Sequence, residues 1–252
     1  MSICRYTSNK LDGFEHGFFT RLGGISTGIF EGLNCGSGSK DDCDKIQFNR
    51  QLVAAEMNVN SEDLITVHQE HSARVVVVDS SFDTLTKADA IVTNTSNLAI
   101  SVLTADCLPV LFADKKNNVI GVAHAGWKGA LNGVLENTVH SMATIGADVG
   151  NIEAVIGPCI SPNNYEVGQD FFDKFIDRSK DFEIYFSEGL EDKKYLFNLP
   201  KFALDKLYKL EIAGAEWIEH CTYHQSDKFY SYRRSQHLGE LDYGRQISSI
   251  KI

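Results

Sequence analysis

The chain has 252 residues, of which 43% are hydrophobic, and it carries a formal net charge of -10 at pH 7. A chain of this length and composition can bury a sizeable core. The acidic balance argues against a general binder of nucleic acid or of anionic membranes, because phosphate groups attract a cationic surface. The N-terminal segment lacks a secretory pattern, and no apolar run reaches membrane-spanning length. We therefore expect a cytoplasmic protein that binds neither nucleic acid nor membrane.

The sequence carries no sign of internal division or of a disulfide framework. No linker or low-complexity segment interrupts it, which predicts a single domain over residues 1–252. Its six cysteines lie at positions 4, 35, 43, 107, 159 and 221, without a CxxC pair. This low density predicts reduced thiols, and Cys107 is the cysteine whose surroundings most suggest chemistry.

The hydrophobic pattern alternates between helical and extended segments. A helix is predicted from about Asp44 to Met57, and apolar residues between 131 and 145 recur at helical spacing. A third helix follows Asn198, whose side chain is suited to cap its first turn. The charged stretch 178–194 is predicted to be a solvated helix and loop. Short apolar or β-branched runs predict buried strands at 74–79, 97–104, 110–113, 119–124 and 152–156.

Three residues stand in short polar motifs at or near the ends of these predicted strands. His71 lies in HQEHSARVVVV, Cys107 in TADCLPVLFAD and His124 in VIGVAHAGWKG. Two imidazoles and one thiolate are a credible ligand set for a zinc ion that keeps a fourth position open, as catalytic zinc sites do. The alternative is that His71 is exposed, Cys107 belongs to the core and His124 caps a strand.

Asp106 precedes Cys107, and neighbours in an extended strand point to opposite faces. Asp106 is therefore a candidate to orient a ligand histidine or to carry a proton, although a turn at the strand end explains it equally well. In HAGWKG, Trp127 can stack on a base and Lys128 can meet an anion. A surface lysine in a turn is the simpler interpretation of Lys128.

Two arginine motifs also suggest anion binding. Arg21 precedes two glycines in FFTRLGG, which suits a loop that holds phosphate or carboxylate. Arg233 and Arg234 lie among aromatic residues in FYSYRRS, which indicates an anion site or an edge strand with snorkelling arginines. The Cys221-x-x-His224 spacing resembles a local metal pair, but no second pair lies nearby, and loop and core roles are preferred.

Six ordered motifs together resemble the YfiH/LACC1 family, also called the multicopper polyphenol oxidase or laccase-domain family. They are HGFFTRLGGIS, HQEHSARV, TADCLPVLFAD, HAGWKG, IGPCISPNNYEV and SYRR, and they span nearly the whole chain. The resemblance implies an α/β (α+β) fold in which a mixed β-sheet sandwich is flanked by helices, similar to the catalytic domain of cytotoxic necrotizing factors.

The resemblance also implies a function. It makes His71, Cys107 and His124 zinc ligands, and it implies phosphorolysis of adenosine, inosine, guanosine and methylthioadenosine to the base and a (deoxy)ribose-1-phosphate, with adenosine deaminase activity. Purine nucleosides and phosphate are then the expected small-molecule partners. Arg21 becomes the leading candidate to contact phosphate or substrate, with Lys128, Arg233 and Arg234 as further candidates.

Three alternatives remain open at the level of the sequence. Cys107 with His124 as its base describes a cysteine hydrolase or deamidase. Copper can replace zinc at nitrogen and sulfur ligands, which would give a polyphenol oxidase activity, although the chain has eight histidines and no His-x-His pair. A third class edits or binds peptidoglycan precursors, as some bacterial relatives are said to do.

Overall fold

The computed structural model describes residues 2–79 and 86–252. Helices and strands alternate irregularly along the chain, and no described helix is long and apolar enough to cross a membrane. The α-helices are α1 Cys43–Glu56, α2 Trp127–Asn132, α3 Val134–Thr144, α4 Gln169–Ile176, α5 Leu199–Lys209 and α6 Tyr232–Leu238. The strands are β1 Arg5–Tyr6, β2 Glu15–Phe19, β3 Leu64–Ile65, β4 Val75–Val77, β5 Ala90–Thr93, β6 Ala99–Thr104, β7 Leu108–Asp114, β8 Val119–Ala125, β9 Ile152–Ile156, β10 Glu166–Gly168, β11 Phe186–Glu188, β12 Lys194–Phe197, β13 Gly214–Trp217 and β14 Gln246–Lys251.

Two larger mixed sheets form the centre of the fold. One has the order β1-β2-β14-β6-β3, and the other has the order β13-β9-β7-β8-β5-β4. A small sheet of order β10-β12-β11 lies apart from them. In the second large sheet β7 pairs antiparallel with both β8 and β9, whereas β4 and β13 run parallel to their neighbours. The α/β fold with mixed sheets flanked by helices is therefore confirmed.

The apolar residues divide into three packed layers. Ile100 and Val102 of β6 face Ile120 and Val122 of β8 in the layer between the two large sheets. Ala99, on the other face of β6, packs with residues of α1 in a second layer. The third layer covers the far face of the six-stranded sheet with α3 and α5. This alternation along single strands follows from the two-residue period of extended chains.

Several sequence predictions agree with these elements, within a residue or two at their ends. Strand β9 has the predicted bounds, and the Asn198 side chain accepts a hydrogen bond from the Lys201 amide at the start of α5. The helix predicted over 131–145 is divided at Gly133, which adopts a left-handed conformation with φ of 98° and separates α2 from α3. The divided helix keeps its apolar face because both parts pack against the same sheet.

Two predictions at the polar segments need correction. The stretch 178–194 is mostly exposed and partly helical, as predicted, but it also contains strand β11, and Tyr185 is buried. Phe182 and Phe186 pack against the core, which anchors this charged segment. The segment with Arg233 and Arg234 is helix α6 and not an edge strand, because Ser231 caps it by accepting a hydrogen bond from the Arg234 amide.

Candidate functional site

One end of the six-stranded sheet gathers the polar motifs. Strand β8 ends there at Ala125, while β4, β5 and β7 begin there. His124 lies near the end of β8, Cys107 immediately precedes β7, and His71 lies in the loop that leads to β4. Side chains from three separate parts of the chain therefore meet because antiparallel and parallel pairing bring these strand ends to one edge.

Cys107 and His124 approach each other through the register of β7 and β8. Pro109 pairs with His124 across the two strands. Leu111 in β7 and Val122 in β8 point into the layer between the sheets. Since alternate residues share a face, Cys107 and His124 point toward that same side, beyond the end of the packed layer. The strand pairing thus positions the thiol beside the imidazole.

The three predicted ligands form a compact cluster. Their donor atoms lie within 4.8 Å of one another, and no other group of this kind occurs in the described ranges. The Cys107 Sγ is 3.9 Å from the His71 Nε2, and the rings of His71 and His124 lie 4.7 Å apart. His124 is buried, Cys107 is half-buried and His71 is exposed, so the cluster opens to solvent on the His71 side.

Asp89 is the residue that holds this cluster in place, and the sequence analysis missed it. Its carboxylate is fully buried and lies 2.8 Å from the Nδ1 of His124. The same carboxylate accepts hydrogen bonds from the backbone amides of His71 and Ser72 and from the Ser72 hydroxyl. One side chain therefore orients both histidines, as outer-shell carboxylates do in metal sites. The detectable signal was an aspartate directly before the apolar run of β5.

The backbone at the cluster is tightly constrained. His71 has a φ of 61°, a left-handed conformation that side chains with a Cβ rarely adopt. Gly126 lies against the cluster, and a Cβ there would come within 2.8 Å of the His71 Cδ2 and 3.0 Å of the Cys107 Sγ. This explains why the first glycine of HAGWKG is a glycine, since only a residue without a side chain leaves room for both donors.

Burial and mutual charge shift the pKa values of Cys107 and His124 in opposite directions. Burial raises the pKa of Cys107, but the charge and hydrogen bond of His124 outweigh it, and with the help of His71 the pKa falls to about 6. Burial lowers the pKa of His124, but Cys107 and Asp89 raise it to about 9. Without a metal the pair is therefore a thiolate beside an imidazolium, and a thiolate is the form that binds metals.

Asp106 lies on the other side of Cys107 and does not orient a histidine. Its carboxylate accepts hydrogen bonds from the hydroxyls of Thr222 and Ser231 and from the Arg233 amide. Burial raises the pKa of Asp106, and these hydrogen bonds lower it only in part. The expected histidine-orienting role therefore belongs to Asp89. Asp106 directly precedes Cys107, and its hydrogen bonds hold the start of α6 beside this part of the chain. A proton-carrying role for Asp106 stays a prediction.

A cleft of about 1060 Å³ leads to the cluster. Helix α1 forms one wall, and residues that precede β14 form another. The lining contains Gln47 and Gln51 with their amides, the Tyr243 ring, and two arginines, Arg50 and Arg245. Such a cleft, with an aromatic face and a few polar groups beside a donor cluster, is typical of a small-molecule site.

Arg21 does not line this cleft. Its guanidinium donates hydrogen bonds to the backbone carbonyls of Glu31 and Ser226, and it lies 4.6 Å from the centre of the Tyr230 ring. These hydrogen bonds join two loops through their backbone carbonyl groups. Its predicted contact with phosphate or substrate stays a prediction, and the structure gives it no place beside the cluster.

The other predicted substrate contacts also lie outside the cleft lining. Trp127 packs 4.8 Å from the Phe171 ring, and Lys128 is exposed beside it. Arg233 donates to the Glu166 carbonyl, and Arg234 donates to the carbonyls of Thr222, Tyr223 and Phe229. These cations hold loops together, and their roles in substrate binding stay predictions.

The donor set fits a zinc ion. Zinc bonds of about 2.0–2.3 Å place tetrahedral ligand atoms about 3.5 Å apart, so donor atoms that lie within 4.8 Å must move closer by at most about 1.3 Å. His124 uses Nδ1 for Asp89 and turns Nε2 toward the Cys107 thiol, so both donor atoms can face one metal, which is the usual arrangement of a ligand histidine. Two nitrogens and one sulfur also suit copper, so the donor chemistry indicates a metal without fixing its identity.

Comparison with known proteins places this site in a family. A family described as multi-copper polyphenol oxidoreductase laccase matches residues 15–252. The chain belongs to the laccase-like YfiH family. The purine nucleoside phosphorylase of Haemophilus influenzae is 36% identical over 88% of this chain and 89% of that protein. The purine nucleoside phosphorylase YfiH of Escherichia coli is 33% identical over the same shares of the two chains.

Solved structures of the YfiH family have the same fold. A Neisseria meningitidis protein, NMB0706, is 33% identical, covers 100% of this chain and 99% of its own, and has a TM-score of 0.87. The Bacillus licheniformis protein YfiH is 29% identical, covers 94% and 92% of the two chains, and has a TM-score of 0.84. The relatives' names support an enzymatic function, and the His-Cys-His cluster suggests a metal.

Proposed function

We propose that this protein is a zinc-dependent purine nucleoside enzyme. It converts adenosine, inosine, guanosine and methylthioadenosine with phosphate to the free base and the (deoxy)ribose-1-phosphate, and it also deaminates adenosine. The observation that carries the proposal is the cluster of His71, Cys107 and His124, which opens into a cleft of about 1060 Å³ with room for a nucleoside and phosphate. The names of the relatives support the same reaction class.

The chain's own residues explain how the cleft would hold a nucleoside. The Tyr243 ring offers a face on which a purine can stack. Gln47 and Gln51 offer amide donors and acceptors that can meet the edge of the base. Gln69 cannot serve in this way, because its amide is already bonded to both backbone groups of Leu103 and braces the wall.

The two reactions make different demands on the site. In phosphorolysis a phosphate oxygen forms a bond to the ribose C1′, and the base leaves with the electron pair of the glycosidic bond and takes up a proton. In deamination water adds at C6 of adenosine and ammonia leaves. A bound zinc ion supplies a Lewis acid and an acidified water. We assign proton transfer to Asp106, the buried carboxyl next to Cys107 in the chain, which lies behind the cleft lining and would act through its hydrogen-bonded neighbours.

The first test separates these reactions. Protein of measured zinc content is incubated with adenosine, with and without phosphate, and the products are separated by chromatography. Adenine and ribose-1-phosphate that form only with phosphate, or inosine that forms in both samples, support the proposal. Unchanged adenosine under both conditions contradicts it.

A second candidate function is favoured by one specific observation. Asp89, His124 and Cys107 form a continuous chain from carboxylate to imidazole to thiol, which is the arrangement of a cysteine hydrolase or deamidase. Thiol alkylation distinguishes the two candidates. Fast modification of Cys107 in protein that lacks metal after gentle purification favours the hydrolase, whereas protection by a stoichiometric metal favours the nucleoside enzyme.

A further inference from the structure

The cleft concentrates positive charge in an acidic protein. Two arginines line it, and its single lining carboxylate belongs to the exposed Glu62. Other arginines of the described ranges meet carboxylates or several backbone carbonyls, as Arg5 does with Glu15 and Arg234 with three carbonyls. A cleft of this kind in a chain with a net charge of -10 indicates that it receives an anion.

Of the two arginines that line the cleft, Arg50 gives the stronger indication of an anion site. It projects from α1, and its one hydrogen bond within the described ranges runs from Nη2 to the Thr66 hydroxyl, at 2.9 Å. No described carboxylate lies within 4.0 Å of it, and burial lowers its pKa. A guanidinium has five donor groups, so most of them are unused. Arg50 is half-buried beside the cleft, and a bound anion would supply both a counter-charge and acceptors for its unused donors.

Arg245 lines the same cleft from the segment before β14. Its guanidinium lies 4.3 Å from the centre of the Tyr243 ring, and its single described hydrogen bond, to the Tyr243 carbonyl, is 3.4 Å long. Its side chain packs against Gly36, where an added Cβ would lie 3.0 Å from the Arg245 Cδ. Stacking fixes the plane of the guanidinium and leaves its donor edge free for a ligand.

The loop 36–38, which packs against the Arg245 side chain, offers backbone donors to the cleft. Ser37 and Gly38 line the cleft, and their amides donate no hydrogen bond to any described residue. Gly38 has open space beside it, since a Cβ there would meet nothing within 4 Å. The glycine-rich sequence GSG therefore has the shape of a loop that lets an anion reach the backbone closely.

We propose that Arg50 and Arg245, with the amides of Ser37 and Gly38, form a phosphate subsite in this cleft. The inference rests on the proposed function, in which free inorganic phosphate is the attacking co-substrate. The phosphate monoester of a nucleotide offers the same oxygens, so the experiment separates the two sources. Arg21, Lys128, Arg233 and Arg234 are not part of the subsite, because none of them lines the cleft.

Direct binding of inorganic phosphate tests the subsite without any need for turnover. Calorimetric titration is carried out on metal-loaded protein and on the variants Arg50→Met and Arg245→Met. Each variant loses charge-assisted hydrogen bonds, so we expect phosphate affinity to fall by about 10-fold to 100-fold. Arg178→Met is the matched control, because Arg178 lies outside this cleft and donates only to the Asn132 side chain.

Thermal unfolding keeps the test decisive if a variant is less stable. Phosphate should raise the Tm of the wild type and of Arg178→Met, because it binds the folded state, but not the Tm of the Arg50→Met/Arg245→Met double variant. Wild-type protein that binds no phosphate, or two arginine variants with unchanged phosphate affinity, would overturn the subsite.

The same variants separate the subsite from the proposed function. Arginine-dependent phosphate binding without nucleoside turnover would contradict the function and retain the subsite. Phosphorolysis with an unchanged KM for phosphate in both variants would retain the function and reject the subsite. Simultaneous binding of phosphate and adenosine supports free phosphate as the ligand, whereas mutual exclusion with tight binding of adenosine 5′-monophosphate overturns that assignment.

Discussion

Two buried aspartates flank the donor cluster, and their pKa values are shifted in opposite directions. Asp89 faces the cationic side of His124 and the amides of the His71 loop, and its pKa falls to about 2. Asp106 faces two hydroxyls and a helix amide, and its pKa is raised. Hydrogen bonds from His124 and Ser72, together with the charge of His124, overcome the cost of burial at Asp89, whereas the three donors at Asp106 and the charge of Arg234 do not overcome it.

This difference assigns the two carboxylates to different tasks. The lowered pKa of Asp89 keeps this carboxylate ionised, so it orients the His124 ring through Nδ1. The raised pKa of Asp106 makes protonation easier than in a free aspartate, and its hydrogen bonds fix the start of α6 beside Cys107. The hydrogen-bond partners of a carboxyl therefore say more about its role than its location in the sequence.

The largest effect should follow from removal of the Cys107 thiol. Cys107→Ala deletes one of three ligands, and we expect loss of bound zinc and a fall in turnover of at least about 1000-fold. Metal analysis and nucleoside turnover measure this. Cys4→Ala, at an exposed cysteine far from the cluster in sequence, should keep both. Full turnover in Cys107→Ala would remove the cluster from the mechanism.

The second prediction concerns the structural side of the comparison. Asp106→Ala leaves the hydroxyls of Thr222 and Ser231 and the Arg233 amide without their acceptor, which should lower the free energy of unfolding by about 3 kcal/mol. Urea unfolding measures the loss. Asp106→Asn keeps one acceptor oxygen and should lose less. Equal stability of Asp106→Ala and the wild type would show that these hydrogen bonds do not hold α6.

The third prediction concerns the effect of Asp89 on metal binding. Asp89→Asn keeps the shape of the side chain but removes its charge, so zinc affinity should fall by about 10-fold to 100-fold. Competition with a zinc chelator measures the affinity. Asp106→Asn should bind zinc with the wild-type affinity, because Asp106 contacts neither histidine. If the two variants lose equal affinity, the division of tasks between the carboxylates is wrong.

The smallest effect is a pair of opposite dependences of stability on pH in metal-free protein. The pKa of Asp89 is lowered from 3.8 to about 2 in the folded state. It should therefore add at most about 2 kcal/mol of stability above about pH 4, which is lost as the pH falls through about 2. The pKa of Asp106 is raised, so its ionisation costs stability at neutral pH, and that cost disappears as the pH falls through its folded pKa toward 3.8.

Urea unfolding from about pH 2.5 to about pH 7 tests these signs. Asp89→Asn should lower stability near neutral pH and flatten its loss in acid. Asp106→Asn should remove the component that strengthens the protein on mild acidification. The same pH profile for both variants would contradict the opposite environments of the two carboxylates.

The sequence was a good guide wherever local pattern determines structure. Strand β9 and the capped start of α5 follow from β-branched runs and from the Asn-Leu-Pro sequence at 198–200. The cluster of His71, Cys107 and His124 was also predicted, through motifs at strand ends. What local pattern did not reveal was the strand order, in which β14 lies between β2 and β6.

The missed residues depend on that long-range order. Asp89 reaches His124 through the pairing of β5 with β8, and Arg245 reaches the cleft through the placement of β14. Arg50 did leave a local signal, because it shares helical spacing with the buried Ile46 and Val53. An arginine on the inward face of a helix needs a partner, and that requirement was visible in the sequence.

The central position of β14 sets the order in which the molecule is completed during translation. Strands β2 and β6 leave the ribosome long before residues 246–251, and both keep an unpaired edge until β14 inserts between them. Unpaired edges invite pairing with other chains, so the growing polypeptide is exposed to aggregation over most of its synthesis. Arg245 directly precedes β14, and the event that protects these edges also delivers the second arginine to the cleft.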